Sequence, residues 1–289
     1  MRPITDSLLR RWPLPSPAQG GSKEHRGRAL IIAGAIEMPG AAILASTAAL
    51  RAGCGKVRVA IAEAAAIAVG IAVPELFVLP IAATGRRRRD SLDRVIDSAA
   101  KADAVLIGPG MRDLAAIRAL LPRLLRLDGL RALVIDATAI PILPGLRLPR
   151  APAERVAGRI VLTPHASEMA RLCQVSEEKI ESEPVAHARE IAKRFGSIVV
   201  LKGAETFVCG AEGPAYVNKR GNVGLATAGS GDVLAGIITG LCARGTDRLQ
   251  AAAWAVGLHA RAGEKLARRR GRLGYLAREI ADEIPALLR

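Results

Sequence analysis

The amino-acid sequence predicts an α/β fold, with a mostly parallel central sheet between two helix layers and a small antiparallel edge. From Ala29 onward, short aliphatic and β-branched runs alternate with longer amphipathic stretches, which is the pattern of βαβ units. The predicted strands are apolar along their whole length, so helices must cover both sheet faces. The chain has 289 residues, half of them hydrophobic, which suits one large domain better than two small ones.

The predicted elements follow one another along the chain. Residues 1–28, rich in Pro, Gly and charge, are expected to be a lead-in of a short helix and an extended segment, and residues 29–289 a single domain. The predicted strands are ALIIAG, KVRVAI, LFVLP, DAVLIG, ALVID, RIVLT and SIVVLK. TFVCG and AYVNK flank a turn at residues 212–214 and predict an antiparallel hairpin at one sheet edge. Helices are predicted at residues 40–52, 62–69, 231–244, 247–270 and 276–288.

Composition and charge exclude several classes of protein. The net charge is +15, but the basic residues are scattered, and the arginine runs at 86–89 and 268–270 are interpreted as a solvated loop and a helix face. Aromatic residues are only 2%, which argues against a nucleic-acid partner that stacks its bases on the protein. The four cysteines lie far apart, so no dedicated metal site is predicted. The longest apolar stretch, residues 63–83, is interrupted by Pro74 and Glu75, which predicts a cytoplasmic protein without a membrane anchor.

Several predicted strands end in glycine or polar residues. In open parallel sheets, ligands bind beyond the carboxyl ends of the strands, where helix N-termini point free amides into a crevice. We therefore expect one crevice lined by these strand ends. They are Gly34, Gly108 to Gly110, Asp136, Thr163 to His165, and Lys202 with Gly203.

The strongest motif is a glycine-rich loop that leads directly into an apolar helix, within GLATAGSGDVLAGIITGL. Gly229 and Gly231 allow a close approach, and the amides of residues 230–233 are expected to hold an anion at the helix start. The alternative is that Asp232 only caps the helix. Gly236 and Gly240 recur four residues apart, which lets the helix pack closely on a neighbour and which a simple cap does not need.

Asp232 is the candidate catalytic residue. Beside a bound phosphate, its carboxylate could orient and deprotonate a hydroxyl group. Its place at a helix start predicts that the ionised form is favoured, and hence a weak base that accepts the proton late. Other phosphate motifs fail: GCGKV at residues 53–57 is not a P-loop, and no strand is followed by GxGxxG.

These segments resemble the ADP- or ATP-dependent NAD(P)H-hydrate dehydratases of the ribokinase-like superfamily, over nearly the whole chain from Gly27. The similar segments are, in order, PGAAILASTAALRAGCGKVRVA, DAVLIGPGM, VIDATAI, VLTPHASEMARL, VVLKGAETFV and GLATAGSGDVLAGIITGL. The resemblance implies a carbon-oxygen lyase that restores NADH or NADPH from its hydrate, NADHX or NADPHX. It also implies ADP or ATP as co-substrate, Mg²⁺ between phosphate oxygens, and a homo-oligomer such as a tetramer.

The resemblance also implies which residues form the site. The hydrated substrate is expected at Ala41 or Ala42, Gly110, His165 and Asp232. The adenine nucleotide is expected at Lys202, Gly203, Ala204, Glu205, Thr206 and Gly231, with Gly229 and Ser230 in the same loop. Simpler roles remain open, because Gly110 could be only a turn, His165 only a helix cap and Lys202 only a surface lysine.

The chain departs from the family pattern at several positions. The usual Gly-Gly-Thr-Gly-Asp loop has Ala228 and Ser230 here, Thr138 replaces the second acid of DADAL, and Arg112 replaces the last glycine of GPGLG. The family's PHPGE segment is PHASE here.

Two alternatives share these motifs. One is a small-molecule kinase of the same fold that phosphorylates a pyrimidine or thiazole alcohol or a sugar. The other is a non-catalytic nucleotide- or nucleic-acid-binding protein, which the positive charge favours weakly and the Asp232 loop opposes.

Overall fold

A ten-stranded sheet organises the chain. The computed structural model describes residues 1–16, 23–146 and 158–288. The strands are β1 (Arg2–Pro3), β2 (Arg28–Ile32), β3 (Lys56–Ala62), β4 (Phe77–Ile81), β5 (Ala104–Ile107), β6 (Ala132–Ile135), β7 (Ile160–Leu162), β8 (Ser197–Leu201), β9 (Thr206–Cys209) and β10 (Tyr216–Asn218). Their order across the sheet is β1-β10-β9-β8-β7-β6-β5-β2-β3-β4. Only β9 runs antiparallel to its neighbours, which confirms the predicted fold class.

The lead-in takes part in this sheet. Its helix, α1 (Asp6–Arg11), is present as predicted and is capped by Thr5. The predicted hairpin is also present, but it is not the outermost pair, because β1 adds in parallel to β10. Sequence reasoning missed this strand because it is only two residues long. Residues 17–22 of the predicted extended segment lie outside the described residues.

Helices cover both faces of the sheet. They are α2 (Pro39–Arg51), α3 (Glu63–Ala72), α4 (Gly85–Ala99), α5 (Leu114–Arg126), α6 (Ala166–Cys173), α7 (Glu177–Ser182), α8 (Pro184–Phe195), α9 (Ser230–Ala243), α10 (Arg248–Arg270) and α11 (Ala277–Leu287). One core cluster joins one sheet face to α2, α3, α9, α10 and α11. The other cluster joins the opposite face to α4, α5, α6 and α8. Alternate residues of each central strand enter opposite clusters, as period-two geometry requires.

The sequence predicts a loop for the arginine run at residues 86–89. In the structure these residues instead form the first turn of α4. Leu92, Val95 and Ala99 are buried on one helix face at spacings of three and four residues. This spacing is that of an amphipathic helix, and the same helix includes the basic run before it. Most of the run is exposed, so the predicted solvated surface is present.

The two helical glycines after Asp232 lie at a close helix contact. A Cβ atom on Gly236 would lie 2.3 Å from the carbonyl oxygen of Ala45, and one on Gly240 would lie 2.5 Å from that of Ala49. Both carbonyls belong to α2, so α9 packs directly on the backbone of α2. The neighbour that the glycine spacing predicted is therefore α2.

No helix in the described ranges combines the length and the apolarity that a bilayer crossing requires.

We expect Gly236→Ala to lower the free energy of unfolding by about 1 to 3 kcal/mol, because the new methyl group meets backbone that cannot move aside. Gly40→Ala is the matched control, because Gly40 is a helical glycine of the partner helix α2 and has open space around it. The control is expected to change stability by less than about 1 kcal/mol. Urea unfolding of both variants measures the difference, and equal effects would contradict the close contact.

Candidate functional site

The carboxyl ends of the central strands are joined by direct contacts. The N–H of Gly34, after β2, donates to the carbonyl of Pro109, after β5. The N–H of Lys202, after β8, donates to the carbonyl of Pro164, after β7. A Cβ atom on Gly108 would lie 1.9 Å from the carbonyl oxygen of Asp136, so only glycine fits there. The strand ends named from the sequence thus lie along one edge of the sheet.

Asp136, at the end of β6, is a buried acid that binds two neighbouring strand ends. Its Oδ1 accepts a hydrogen bond of 2.6 Å from the Thr163 hydroxyl and one of 3.0 Å from the Lys202 ammonium. The next residue, Ala137, has a φ of 48°, a left-handed conformation that costs a non-glycine residue about 1 kcal/mol or more. The strand therefore ends in a strained bend that holds Asp136 in place. Sequence reasoning put Asp136 in the crevice but gave it no role.

Lys202 is held in the crevice as a cation and is not a surface lysine. Burial alone would lower the pKa of Lys202, but Asp136, Glu168 and Asp232 outweigh burial and raise it. A Cβ atom on Gly231 would lie 3.4 Å from the Lys202 Nζ, so the ammonium faces the glycine loop. Lys202 therefore links the β8 end to the start of α9.

The glycine loop forms the start of α9. Gly229 is the N-cap and has a φ of 88°, and a Cβ atom there would lie 2.4 Å from Leu44. Asp232 is the third residue of the helix, so it is not the cap. The Ser230 N–H donates to Thr227 and the Val233 N–H to Gly229, which removes two of the four amides expected to be free. Among the described residues, the Gly231 and Asp232 N–H groups have no hydrogen-bond acceptor and can hold an anion.

The Asp232 carboxyl has a raised pKa, contrary to the expectation from its helix position. Burial, reinforced by the Asp136 charge, raises the pKa of Asp232 to about 6, although Lys202 opposes the shift. Desolvation outweighs the helix dipole because little solvent reaches the group. Asp232 is thus mostly ionised at pH 7 and is a stronger base than an ordinary aspartate.

His259 in α10 supports the loop, and no sequence signal identified it. Its Nε2 lies 3.0 Å from the Ser230 Oγ and 3.1 Å from the Ser230 carbonyl oxygen. Burial lowers the pKa of His259 to about 4, so the ring is neutral. The Ser230 hydroxyl and carbonyl therefore both face His259, and the Ser230 N–H is bonded to Thr227, so the amides left to hold an anion are those of Gly231 and Asp232.

His165 is the N-cap of α6 in a capping box. Its Nδ1 accepts from the Glu168 N–H at 3.4 Å, and Glu168 accepts from the His165 N–H at 2.9 Å. His165 therefore does cap α6, as the simpler interpretation predicts. The ring is still half exposed at the crevice edge, next to Lys202 through a β-bridge, so it remains available to a ligand.

The other expected contacts differ in accessibility. Ala41 packs against Gly110, where an added Cβ would lie 2.4 Å away, while Ala42 has no exposed surface. Of the two alanines, the geometry thus favours Ala41.

Gly203, Ala204 and Glu205 form the β8–β9 turn before Thr206, and Glu205 is paired with Lys219 at 2.9 Å. Thr138 lies half buried in the 3₁₀ segment after Asp136.

A cavity of about 400 Å³ lies beside Gly34, at the ends of β2, β3 and β4, and its lining includes none of Asp136, His165, Lys202 and Asp232. Its walls are mainly apolar, and its lining includes Arg88, Arg112 and Asp113. Arg88 and Asp113 form an ion pair that lowers the pKa of Asp113. Arg112, which departs from the family pattern, is exposed at this cavity.

We expect Asp232→Asn to raise the free energy of unfolding at pH 8. The pKa rises from 3.8 to about 6 on folding, so the unfolded chain ionises first and folding stability falls as pH rises through this window. After allowance for screening and the lost helix-dipole interaction, the gain is about 1 to 2 kcal/mol. Denaturant unfolding at pH 8 and at pH 3.5 should show the gain only at pH 8. The exposed Glu75→Gln is the control for loss of one charge, and a gain in Asp232→Asn that is equal at both pH values would contradict the raised pKa.

Comparisons with known proteins identify the family of the chain. The family described as NAD(P)H-hydrate dehydratase matches residues 29–286. The chain is similar to a Xanthomonas campestris protein named ADP-dependent (S)-NAD(P)H-hydrate dehydratase, with 44% identity over 100% of this chain and 96% of the relative. It is 37% identical to a bifunctional NAD(P)H-hydrate repair enzyme of Moorella thermoacetica, over 96% of this chain but only 52% of that enzyme.

Solved structures show the same fold. The Bacillus subtilis ADP/ATP-dependent NAD(P)H-hydrate dehydratase, co-crystallised with ATP and Mg²⁺, superposes with a TM-score of 0.83 at 27% identity, covering 99% of this chain and 97% of that one. A ribokinase-like superfamily protein of Enterococcus faecalis gives a TM-score of 0.85 at 27% identity, covering 100% and 95%.

Proposed function

The chain belongs to the NAD(P)H-hydrate dehydratase family, and from this premise we propose that it is an ADP-dependent (S)-NAD(P)H-hydrate dehydratase. It would convert the hydrate and ADP into NADH or NADPH, AMP and phosphate. ATP in place of ADP would give ADP and phosphate. The observation that carries the proposal is the Gly229 to Asp232 bend, where two free amides and a basic carboxylate lie beside Lys202.

The reaction needs phosphoryl transfer because hydroxide is a poor leaving group. The terminal phosphoryl group of the nucleotide moves to the ring hydroxyl, which forms an O–P bond as the bond to the leaving nucleotide breaks. The phosphate then leaves with the C–O bonding electrons, the adjacent ring carbon loses a proton, and the ring double bond returns.

The protein's part in the first step is positioning and charge. The Gly231 and Asp232 N–H groups would donate to the phosphoryl oxygens, and the Lys202 ammonium, fixed by Asp136, would offset their charge. The β8–β9 turn, Lys202 to Thr206, would hold the rest of the nucleotide. The Bacillus relative was crystallised with ATP and Mg²⁺, which supports the proposal that a protein of this fold binds a nucleotide.

Asp232 would accept the proton of the ring hydroxyl. A carboxyl with a pKa of about 6 is ionised at neutral pH and matches the task of a general base better than an ordinary aspartate. The substrate ring would lie between Asp232 and the Gly110, Ala41 and His165 side of the crevice. The cavity next to Gly34 leaves room for a substrate larger than the ring alone.

The site suits a divalent cation bound with the nucleotide. Three carboxylates, Asp136, Glu168 and Asp232, act on the single Lys202 ammonium, so the crevice carries excess negative charge. Asp232, which is partly exposed, is the side chain that would face Mg²⁺, whereas Asp136 is buried against Lys202 and Thr163. The ion would supply charge neutralisation to the phosphate oxygens.

The direct test is recovery of reduced-nicotinamide absorbance when the protein, ADP and Mg²⁺ are mixed with NADHX. Recovery that requires ADP or ATP is expected. Mass spectrometry of the products separates the kinase alternative, because a stable phosphorylated product would show that the phosphate stays on the acceptor.

We expect Asp232→Asn to reduce kcat about 10² to 10⁴-fold while the Kd for ADP changes by only a few-fold, because the free amides that hold phosphate remain. In the wild-type protein, kcat/KM should fall about tenfold per pH unit below pH 6, as the base becomes protonated. Initial rates and ADP titrations measure both effects. Near-normal turnover in the variant would remove Asp232 from the mechanism.

We also propose that the protein works in the cytoplasm as a homo-oligomer. The four cysteines are free, which suits a reducing compartment that also holds the NAD(P)H pool.

An apolar patch of Ile67, Ile71 and Phe77, with 79%, 76% and 58% exposure, lies at the open β4 edge. Pro80 in β4 blocks continuous strand addition, so a second copy would pack on this patch through side chains.

We expect the double variant Ile67→Glu, Ile71→Glu to shift the protein to a smaller assembly, because four new charges at a two-fold interface would be desolvated on association. Leu273→Glu, which alters another exposed apolar residue, is the control. Light scattering after size-exclusion chromatography measures the mass. A wild-type monomer, or an unchanged mass in the double variant, would contradict this interface.

A further inference from the structure

Three side chains of metal-binding type meet away from the crevice, on the outer helix layer. Cys173 ends α6, and His187 and Glu190 lie one helical turn apart on α8. One possible ligand atom from each residue lies within 4.8 Å of the other two. No residue of this group belongs to the dehydratase site proposed above.

The His187 ring lacks the partners that a buried imidazole needs. Its side chain is only 12% exposed, and both ring nitrogens are buried without a hydrogen-bond partner among the described residues. Glu190 Oε2 is 3.7 Å from Nδ1, which is too long for a hydrogen bond. A buried polar atom without a partner costs about 1 to 3 kcal/mol, so the ring is poised to gain one.

The three donors are a thiol sulfur, an imidazole nitrogen and a carboxylate oxygen. Hard cations such as Mg²⁺ prefer oxygen ligands, whereas Zn²⁺ takes this mixed set in tetrahedral geometry. Bonds of about 2.0 to 2.3 Å place tetrahedral ligand atoms roughly 3.3 to 3.8 Å apart. The separations are at most 4.8 Å, and the one between His187 Nδ1 and Glu190 Oε2 is already 3.7 Å, so the remaining closure is at most roughly 1.5 Å, which rotation of the Glu190 and Cys173 side chains can supply.

We propose that Cys173, His187 and Glu190 bind one Zn²⁺ ion, which fastens the end of α6 to α8. Cys173 is half buried and Glu190 is 63% exposed, so an ion can enter from solvent and keep water as a fourth ligand. The thiol proton passes to solvent as the S–Zn bond forms. A thiolate, a carboxylate and a neutral imidazole then balance the charge of the ion.

The charged neighbours act in both directions. The Glu190 carboxylate favours a cation at this group. The positive charge of Arg194 opposes one, and its guanidinium donates to the Leu172 carbonyl at 3.3 Å. The arginine is therefore directed at the backbone at the end of α6.

The same helix connects this group with the crevice. His165 caps the start of α6, and eight residues later Cys173 ends it, about 12 Å away along the axis. Metal binding at Cys173 therefore stiffens the helix that carries His165 without touching the reacting groups.

The test uses the full chain after treatment with a chelator, titrated with Zn²⁺ against a chromogenic competitor. We expect one site per chain, and Cys173→Ser and His187→Gln should each lose more than about 100-fold in affinity, because loss of a ligand costs more than an outer-shell change. Glu190→Gln should also weaken binding, and Glu177→Gln, at an exposed glutamate on α7, should not. Cys209→Ala is the control for loss of a thiol. Circular dichroism checks that each variant is folded.

Two further readouts identify the ligands without any activity assay. Co²⁺ should give a thiolate charge-transfer band that Cys209→Ala retains and Cys173→Ser lacks. Zn²⁺ should also protect Cys173 from alkylation, as peptide mass spectrometry can show. Absence of stoichiometric Zn²⁺ binding, or binding that survives both Cys173→Ser and His187→Gln, would overturn the site and leave the dehydratase proposal untouched.

Discussion

The buried contact between Asp136 and Lys202 is the interaction on which the crevice depends. It joins the ends of β6 and β8, and Thr163 adds the end of β7 between them. An unpaired charge at this depth would be costly, so the two side chains hold each other in place. Lys202 then faces the glycine loop as a fixed cation, and the negative charge of Asp136 helps to raise the pKa of Asp232. One ion pair thus fixes the cation beside the glycine loop and adds, after burial, to the raised pKa of Asp232.

The sequence predicted the sheet, the crevice edge and the glycine loop because these follow from local patterns. Apolar runs between helical stretches give parallel strands, and glycines with positive φ give the bend at Gly229. The carboxyl ends of parallel strands meet at one edge of a sheet, so the sequence also predicts that these distant strand ends lie together. Gly236 and Gly240 showed a close contact for α9, although the sequence could not say that the partner was α2.

Other features depend on three-dimensional surroundings that no local pattern records. The helix position of Asp232 predicts a lowered pKa, but burial, together with the charge of Asp136, raises it instead. His259 contacts Ser230 across 29 residues and carries no motif of its own. The first turn of α4 resembles a loop in sequence because four consecutive arginines precede the apolar spacing that marks the helix. The strand β1 is too short for any periodicity.

The close packing of α9 on α2 has a mechanical consequence for the crevice. Two glycines allow the helix backbones to touch, so the helix that presents Gly231 and Asp232 is wedged against its neighbour and cannot slide along its axis. The anion site is therefore a rigid wall of the crevice. The turn at Gly203 and Ala204 is exposed and has no such helix contact, so it is the part of the proposed nucleotide site that can adjust to a ligand more easily.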